Sequence, residues 1–229
     1  MADAAQGKKL DEIRGRNYDA VARIYEELAH VYSLGLIRKA KLVELRYIKP
    51  GDRVLYLGVG SGEDALAAAR AGAKVTAIDL SPRMVGRLRD RLARRGLDAE
   101  LIASDALKHR PEAPYDAVCG NYFFNLFNSQ DMPVVLRHAA TLVKPGGRLM
   151  IADMAPPKGF GGALSWLYLK FGLTFFWALR LAAQHPIYDY AAHGRAEGLE
   201  TEAVHDFRAA GLTLYRTVIL KRPSAEEPG

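Results

Sequence analysis

Three glycines spaced two residues apart form a loop that could bind a nucleotide-like ligand. Gly58, Gly60 and Gly62 follow a short apolar segment and precede a helical one. Glycines at such a place let backbone N–H groups approach a ligand, with the positive end of a helix dipole behind them. Asp79 follows 17 residues after Gly62, and its carboxylate can accept hydrogen bonds from the two hydroxyls of an adenosine ribose. The spacing therefore predicts a ligand that contains adenosine.

The same loop departs from the dinucleotide-binding fingerprint at one place. That fingerprint, G-x-G-x-x-G, has its last glycine three positions after the second one, where this chain has Glu63. A Tyr-x-x-x-Lys pair is also absent from the sequence. A nicotinamide-dependent oxidoreductase therefore stays open only as the less favoured alternative.

Short apolar segments alternate with helical ones through the middle of the chain. In such an alternation each helix carries the chain back over the sheet to the start of the next parallel strand. The alternation therefore predicts a Rossmann-like α/β fold. We expect a doubly wound, mostly parallel, seven-stranded sheet with helices on both faces. The predicted strands cover 53–57, 74–79, 100–103, 115–120, 148–153 and 213–220, and the predicted helices cover 64–71, 82–95, 130–142 and 200–210, with a turn at 144–147.

We interpret the chain as a single domain with recognisable parts. Ser81 and Pro82 are expected to begin the arginine-rich helix, as its cap and its first-turn proline. The predicted parts are an N-terminal helical lid (1–49), a cofactor-binding core (50–153), an apolar insertion that forms a substrate lid (154–195), a C-terminal helix and strand (196–222) and a polar tail (223–229).

Five ordered blocks of the chain resemble the class I S-adenosylmethionine-dependent methyltransferases. The blocks are residues 54–62, 75–84, 104–106, 115–118 and 142–149, and the resemblance extends from about residue 18 to residue 221. It implies that S-adenosyl-L-methionine is the cofactor. It also implies that Gly58, Gly60 and Gly62 hold the methionine part of the cofactor and that Asp79 holds the ribose.

The resemblance assigns further residues around the same ligand. Leu80 or Met84 is expected to pack on the adenine, and Asp105 with Ala106 is expected to bind the exocyclic amine of that base. The resemblance also places Asn121, which follows the fourth strand, beside the reactive methyl group.

One position departs from the family pattern. The family usually has Asp or Glu two residues before the first glycine, close to the amino group of the methionine part, and this chain has Tyr56 there. Either Glu63 or Asp64 compensates for the missing charge, or the affinity for the cofactor is reduced. The second possibility keeps open a protein that binds the cofactor without catalysis, in a regulatory role, or that uses it for another transfer. A third interpretation is that Tyr56 is simply an aromatic residue of the strand.

The segments expected to surround the acceptor are rich in apolar and aromatic residues. Ligands of open α/β sheets lie beyond the carboxyl ends of the strands, so we expect residues 121–128 and the insertion over 160–177 to form the acceptor pocket. The alternative is that these residues pack on one another as an ordinary lid. The layout is similar to that of quinone-biosynthesis C-methyltransferases and phospholipid N-methyltransferases, which implies a small, apolar or lipid-like acceptor.

The apolar character of the insertion is also compatible with membrane contact. A spanning helix needs about 20 predominantly apolar residues, and Lys170 lies near the middle of this stretch. We therefore expect the insertion to touch a bilayer surface as an amphipathic lid rather than to span it, with the positive net charge adding attraction to anionic lipid.

Few side chains are expected to take part in the chemistry itself. Methyl transfer from a sulfonium is an in-line displacement, so alignment supplies much of the rate, and a base is needed only where the acceptor loses a proton. His185 and Tyr188 are the candidate bases, because their polar and aromatic segment follows the lid, and Asn121 is the third candidate catalytic group. The six histidines lie at no ligand spacing with carboxylates or the one cysteine, so we predict no metal site.

Charge and cysteine content give weaker indications. The net charge of +6 suits an anionic partner, but the arginines of residues 83–95 alternate with apolar residues at helical spacing and lack interleaved aromatics. We therefore expect no nucleic-acid partner. The single cysteine, Cys119, and the polar N-terminal segment suggest a cytoplasmic protein, with membrane association open. The sequence does not indicate an oligomeric state.

Overall fold

The computed structural model describes residues 32–158, 161–178 and 186–224, and the elements below lie within these ranges. The helices are α1 (Leu36–Leu42), α2 (Glu63–Arg70), α3 (Pro82–Ala93), α4 (Asp131–Leu142), α5 (Gly162–Ala178) and α6 (Tyr190–Ala196). The strands are β1 (Arg53–Leu57), β2 (Lys74–Asp79), β3 (Glu100–Ala103), β4 (Tyr115–Cys119), β5 (Val143–Met154), β6 (Glu200–Ala209) and β7 (Leu212–Lys221). Short 3-10 turns cover Val43–Arg46, Ala106–Lys108 and Phe124–Leu126.

The seven strands form one sheet in the order β3-β2-β1-β4-β5-β7-β6. Neighbouring strands from β3 to β5 pair in parallel, whereas β7 is antiparallel to both β5 and β6. The order of connection reverses between β1 and β4, and ligands of open α/β sheets bind at such a switch point, beyond the carboxyl ends of the strands. The predicted Rossmann-like, mostly parallel seven-stranded sheet is confirmed.

The central strand β1 is buried on both faces, as strands of parallel sheets usually are. Successive side chains of a strand point to opposite faces, so Leu55 and Leu57 pack in the apolar cluster that includes α4, and Val54 and Tyr56 pack in the cluster that includes α2 and α3. Tyr56 is only 2% exposed. The alternation therefore directs its side chain toward the α2 face of the sheet.

The predicted helix over 200–210 is wrong, because these residues form the edge strand β6. Burial alternates between exposed and half-buried along all ten residues of the strand, which is the two-residue period of a sheet with one solvated face. Arginines of β5 and β7 pair with carboxylates of β6, Arg148 with Glu202 and Arg216 with Asp206, both at 2.7 Å. Pairing with β7 thus overrides the helical propensity of this segment, and the C-terminal helix of the molecule is α6, which precedes it.

The predicted turn at 144–147 also needs correction. Strand β5 begins at Val143, and its register with β4 jumps from Tyr115 opposite Val143 to Ala117 opposite Arg148. The four residues of the predicted turn therefore form an irregularity within an extended strand. At the N-terminus, Leu36–Leu42 and Val43–Arg46 are helical as expected, whereas residues 10–31 lie outside the described residues.

Candidate cofactor site

The glycine loop between β1 and α2 has a backbone that requires glycine. Gly58, Gly60 and Gly62 have φ values of 77°, 49° and 65°, in the left-handed region that other residues rarely adopt. A Cβ atom at Gly62 would lie 2.9 Å from Leu88 of α3, and one at Gly58 would lie 3.1 Å from the ring of Phe123. The loop is thus close to neighbours on two sides, and only glycine keeps its backbone accessible to a ligand.

Asp79 ends β2 beside this loop and fixes its shape. One carboxylate oxygen accepts the backbone N–H of Val59 at 2.8 Å, and the other accepts the backbone N–H of Ser81 at 2.7 Å. Ser81 is at the N-cap position of α3, as predicted, but its side chain makes no capping hydrogen bond. Each carboxylate oxygen keeps a further lone pair, so Asp79 can hold the loop and accept hydrogen bonds from a ribose diol at the same time.

The residues expected around the adenine emerge from the ends of β2 and β3. The backbone N–H of Ser104 donates to the carbonyl of Asp79 at 3.0 Å, so the two strand ends lie together. Leu80 is 64% exposed there, and Met84 is half-buried on the first turn of α3. The side chain of Asp105 accepts the backbone N–H of Leu107 and caps the turn that begins at Ala106. The assignment of these residues to the adenine stays a prediction, which this placement supports.

A buried polar cluster, here called the acidic cluster, surrounds the hydroxyl of Tyr56. It consists of Lys41, Glu44, Tyr56, Asp64 and Asn121. The Tyr56 hydroxyl donates to Glu44 Oε1 at 2.8 Å, and the Asn121 amide donates to Glu44 Oε2 at 2.8 Å and to Asp64 Oδ2 at 3.0 Å. Lys41 Nζ lies 3.4 Å from Asp64 Oδ2. Two carboxylates, those of Glu44 and Asp64, therefore lie beside Tyr56, the position at which the family usually has one acidic residue.

Glu44 has an unusual protonation equilibrium. It is fully buried, and loss of hydration together with the nearby charge of Asp64 raises its pKa to about 8. Hydrogen bonds from Asn121 and Tyr56 and the charge of Lys41 oppose this rise. Burial and the adjacent Glu44 also raise the pKa of the Tyr56 hydroxyl, which therefore stays a donor.

Glu44 is a site residue that the sequence did not predict. Of the two acids expected to compensate at position 56, Glu63 and Asp64, the structure brings only Asp64 to Tyr56, because the carboxylate of Glu63 pairs with the exposed Arg38. Glu44 lies in the N-terminal helical region, 12 residues before Tyr56, and its contact depends on how that region packs on the sheet. The one signal in the sequence is an acidic residue within the apolar stretch 42–45.

The candidate catalytic residues are placed differently from one another. Asn121 follows β4 and belongs to the acidic cluster, where its side-chain oxygen also accepts the backbone N–H of Ala152 at 3.0 Å. The Tyr188 hydroxyl donates to the carbonyl of Phe127 at 2.8 Å, and His185 lies outside the described residues. The catalytic roles of all three stay predictions.

A further buried carboxyl outside the acidic cluster, that of Asp153, lies at the carboxyl end of β5. It accepts the Tyr190 hydroxyl at 2.6 Å, the Asn125 amide at 2.9 Å and the backbone N–H of Met154 at 2.7 Å. Burial raises the pKa of Asp153 to about 7 against the effect of these hydrogen bonds. Asp153 therefore ties the start of α6, and with it the nearby Tyr188, to the end of the sheet.

In the variant Asp153→Asn, the free energy of unfolding is expected to fall less than in the wild type as the pH rises. The unfolded chain loses this proton near pH 4, whereas the folded protein keeps it up to about pH 7. The stabilising contribution is therefore complete below about pH 4 and is lost as the pH rises through 7. Between these pH values the free energy of unfolding should fall by roughly 1–3 kcal/mol more in the wild type than in the variant. Urea denaturation at several pH values measures this, with exposed Asp90→Asn as control; equal falls in wild type and variant would contradict it.

Within the described ranges, no group of three or more His, Cys, Asp or Glu side chains is placed to hold a metal ion. In the same part of the chain, no helix combines the length and the apolar character needed to cross a membrane.

The groups around the loop match the chemistry of S-adenosylmethionine. The Asp79 carboxylate suits a ribose diol, exposed Leu80 and half-buried Met84 offer apolar surface for a base, and the acidic cluster suits an ammonium group. The three left-handed glycines leave room that a Cβ atom would fill. The residues present therefore fit this cofactor.

Comparisons with known proteins agree with this arrangement. Residues 54–147 match a family model described as a methyltransferase domain. A demethylmenaquinone methyltransferase of Tropheryma whipplei is 30% identical over 200 residues, covering 86% of this chain and 81% of that protein. A 2-phytyl-1,4-naphtoquinone methyltransferase of Synechococcus elongatus is 38% identical over 149 residues, covering 61% and 63%. The crystal structure of magnesium protoporphyrin IX methyltransferase from Synechocystis with bound SAH has the same fold, with a TM-score of 0.68 at 18% identity over 93% of this chain and 96% of that one.

The fold, the loop and the relatives lead to one assignment. The cofactor is S-adenosylmethionine, and the activity is methyl transfer. The chain belongs to the class I S-adenosylmethionine-dependent methyltransferases and is related to the quinone methyltransferases among them.

Proposed function

We propose that this enzyme methylates a small, apolar, quinone-like acceptor that lies at a lipid surface. The observation that carries the proposal is an aromatic wall against the cofactor loop. The ring of Phe123 lies 3.1 Å from the place of a Cβ atom at Gly58, and it packs edge-on against Phe124 and Phe127 with centroids 5.4 Å apart in both pairs. The relatives whose names include menaquinone and naphtoquinone precursors support the same acceptor class.

The geometry supports this reaction through positioning. The cofactor would supply a methyl group on a sulfonium, with the thioether as the leaving group, and the acceptor would lose a proton to a base. The glycine loop and Asp79 would orient the donor, while the aromatic wall would align a flat ring and exclude water. An anionic quinol and a cationic donor neutralise each other, and this is favoured in apolar surroundings. We keep His185 and Tyr188 as the proposed proton acceptors and Asn121 as the group beside the methyl. Tyr188 would have to act as the phenolate, against the burial that raises the pKa of its hydroxyl.

We propose that the two predicted lids bring the acceptor from the lipid surface to the cofactor. The N-terminal part and α5 contact each other, since the rings of Tyr32 and Tyr168 stack with centroids 4.7 Å apart. Leu169 of α5 is buried, whereas Leu164 and Leu167 are each 59% exposed and Phe171 is 68% exposed. Such an apolar helix face, on a chain with net charge +6, suits shallow contact with an anionic bilayer. The boundaries of the two lids, 1–49 and 154–195, belong to this proposal.

The proposal predicts methylation of a prenylated naphthoquinol in anionic phospholipid vesicles that also contain phosphatidylethanolamine. Labelled methyl groups from S-adenosylmethionine should appear in the quinol. The double variant Leu164→Ser/Leu167→Ser should lower the rate in vesicles about tenfold or more, because less apolar surface inserts, and should leave the rate on a short-chain soluble naphthoquinol unchanged.

Val134→Ser is the matched control, since Val134 is 57% exposed on α4, outside this helix face. Label that enters phosphatidylethanolamine instead would favour phospholipid N-methylation. An equal rate for wild type and double variant in vesicles would remove the lipid-surface part of the proposal, and no label in either quinol would overturn the acceptor class.

A further inference from the structure

We propose that Glu44, together with Asp64, binds the ammonium group at the methionine end of the cofactor, and that cofactor binding releases a proton from Glu44 to the solvent. The inference rests on the cofactor assignment made above and deepens it. It gives a ligand-binding role to a residue outside the glycine loop, and it makes the affinity for the cofactor depend on pH.

The acidic cluster holds more negative than positive groups. Glu44 is fully buried, and the side chain of Asp64 is 6% exposed. In the described part of the chain, Lys41 is the cation paired with the cluster, and its side chain is 14% exposed. Two carboxylates with one cation leave an excess negative charge in a poorly hydrated place, and such a charge is costly unless it is neutralised. Either one of the two carboxyl groups keeps its proton, or a second cation must accompany the ionised pair.

The cluster lies beside the loop that holds the methionine part. Lys41 Nζ, which pairs with Asp64, also lies 3.8 Å from the place of a Cβ atom at Gly60. Asp64 is in the first turn of α2, directly after the loop. A ligand held by the glycines therefore has its charged end next to these carboxylates. The cofactor carries an ammonium group and a carboxylate at that end, so the ammonium group would face the acids and the carboxylate would face Lys41 near Gly60.

Glu44 is held ready to accept a cation. Each carboxylate oxygen accepts one hydrogen bond, from Tyr56 and from Asn121, and keeps a further lone pair. The groups that face Glu44 are Asp64 and Lys41, with Tyr56 on β1 and Cys119 on β4. Without a second cation, burial and Asp64 raise the pKa of Glu44 to about 8, so it is largely protonated at pH 7. A bound ammonium group favours the carboxylate form and expels the proton.

Tyr56 then has a definite role in this chain. It brings no charge, but its hydroxyl stays protonated and donates to Glu44 at 2.8 Å. It therefore positions the acid that comes from the N-terminal region. The departure at position 56 thus moves the carboxyl group from β1 to Glu44, which becomes negatively charged when the ammonium group binds.

Calorimetric titration of the full chain with S-adenosylhomocysteine at pH 7, in two buffers of different ionisation enthalpy, tests the proposal. Wild type should release close to one proton for each ligand bound. Glu44→Gln should release none and should bind at least about tenfold more weakly, because a charge-assisted contact is lost. The new side chain keeps the shape of the cluster, since its amide can donate to the Tyr56 oxygen while its carbonyl accepts from Asn121.

Two controls separate ligand recognition from a structural effect. 5′-Methylthioadenosine has the adenosine and the thioether but lacks both the ammonium group and the carboxylate of the methionine end, so its binding should release no proton and should be unchanged in Glu44→Gln. Glu63→Gln removes a partly exposed carboxylate of the same helix as Asp64 and should match the wild type with both ligands. Equal weakening of both ligands by Glu44→Gln, or unchanged proton release, would overturn the role of Glu44. Failure of the wild type to bind either ligand would overturn the cofactor assignment itself, and with it this inference.

Discussion

Replacing Asp79 with alanine is expected to weaken the binding of S-adenosylhomocysteine by at least about 100-fold. The carboxylate would accept hydrogen bonds from both ribose hydroxyls, and hydrogen bonds to a charged group contribute about 1.5–3 kcal/mol each. Two such bonds correspond to about 100-fold or more in the dissociation constant. Alanine also removes the acceptors for the N–H groups of Val59 and Ser81, which shape the loop. Calorimetric titration measures the loss directly.

Two further variants make the result for Asp79 specific. Asp79→Asn keeps one acceptor and should give an intermediate affinity. Asp90→Ala, which removes an exposed carboxylate of α3, should bind like the wild type. Binding of NAD serves as a negative control, because Glu63 occupies the third glycine place of the dinucleotide fingerprint. Wild-type affinity in Asp79→Ala would refute the assignment of the ribose to this residue. 5′-Methylthioadenosine should lose affinity in Asp79→Ala as well, in contrast to Glu44→Gln.

The fold could be predicted where local sequence determines structure. Strands β1, β2 and β4 are short apolar runs bounded by glycine and polar residues, and each is followed by a helix or a turn that the sequence marks. Strand β6 could not be predicted in this way, because its residues Glu200–Ala209 include alanine, glutamate and arginine, which favour a helix. Its pairing with β7 at the edge of the sheet is a tertiary contact, and local propensity does not contain it.

The same distinction between local sequence and tertiary contact applies to the candidate site. Gly58, Gly60, Gly62 and Asp79 lie within one β-loop-α-β unit, so their spacing alone predicts that they meet. The contact of Glu44 with Tyr56 depends on the docking of the N-terminal region across the end of the sheet, which spacing does not specify. From the sequence, Glu63 or Asp64 could compensate at position 56 or the affinity could fall, whereas the structure brings the carboxyl of Glu44 to Tyr56 from another element.

Replacing Gly62 with alanine is expected to destabilise the fold and the cofactor loop together. Its φ of 65° costs a residue with a side chain about 1–2 kcal/mol, and the new Cβ atom would lie 2.9 Å from Leu88. Overpacking of this kind adds about 1–3 kcal/mol. We expect the free energy of unfolding, measured by urea denaturation, to fall by about 2–5 kcal/mol, with a clear loss of affinity for S-adenosylhomocysteine.

Gly96→Ala separates the two causes. Gly96 has a φ of 61°, but nothing lies within 4 Å of the place of its Cβ atom, so only the backbone cost of about 1–2 kcal/mol should appear. Its cofactor affinity should equal that of the wild type, since Gly96 follows α3 at the end away from the loop. Equal destabilisation in the two variants would mean that Leu88 moves aside freely. The close packing of α3 would then not hold the loop in shape, and Gly62→Ala should bind the cofactor with the same affinity as the wild type.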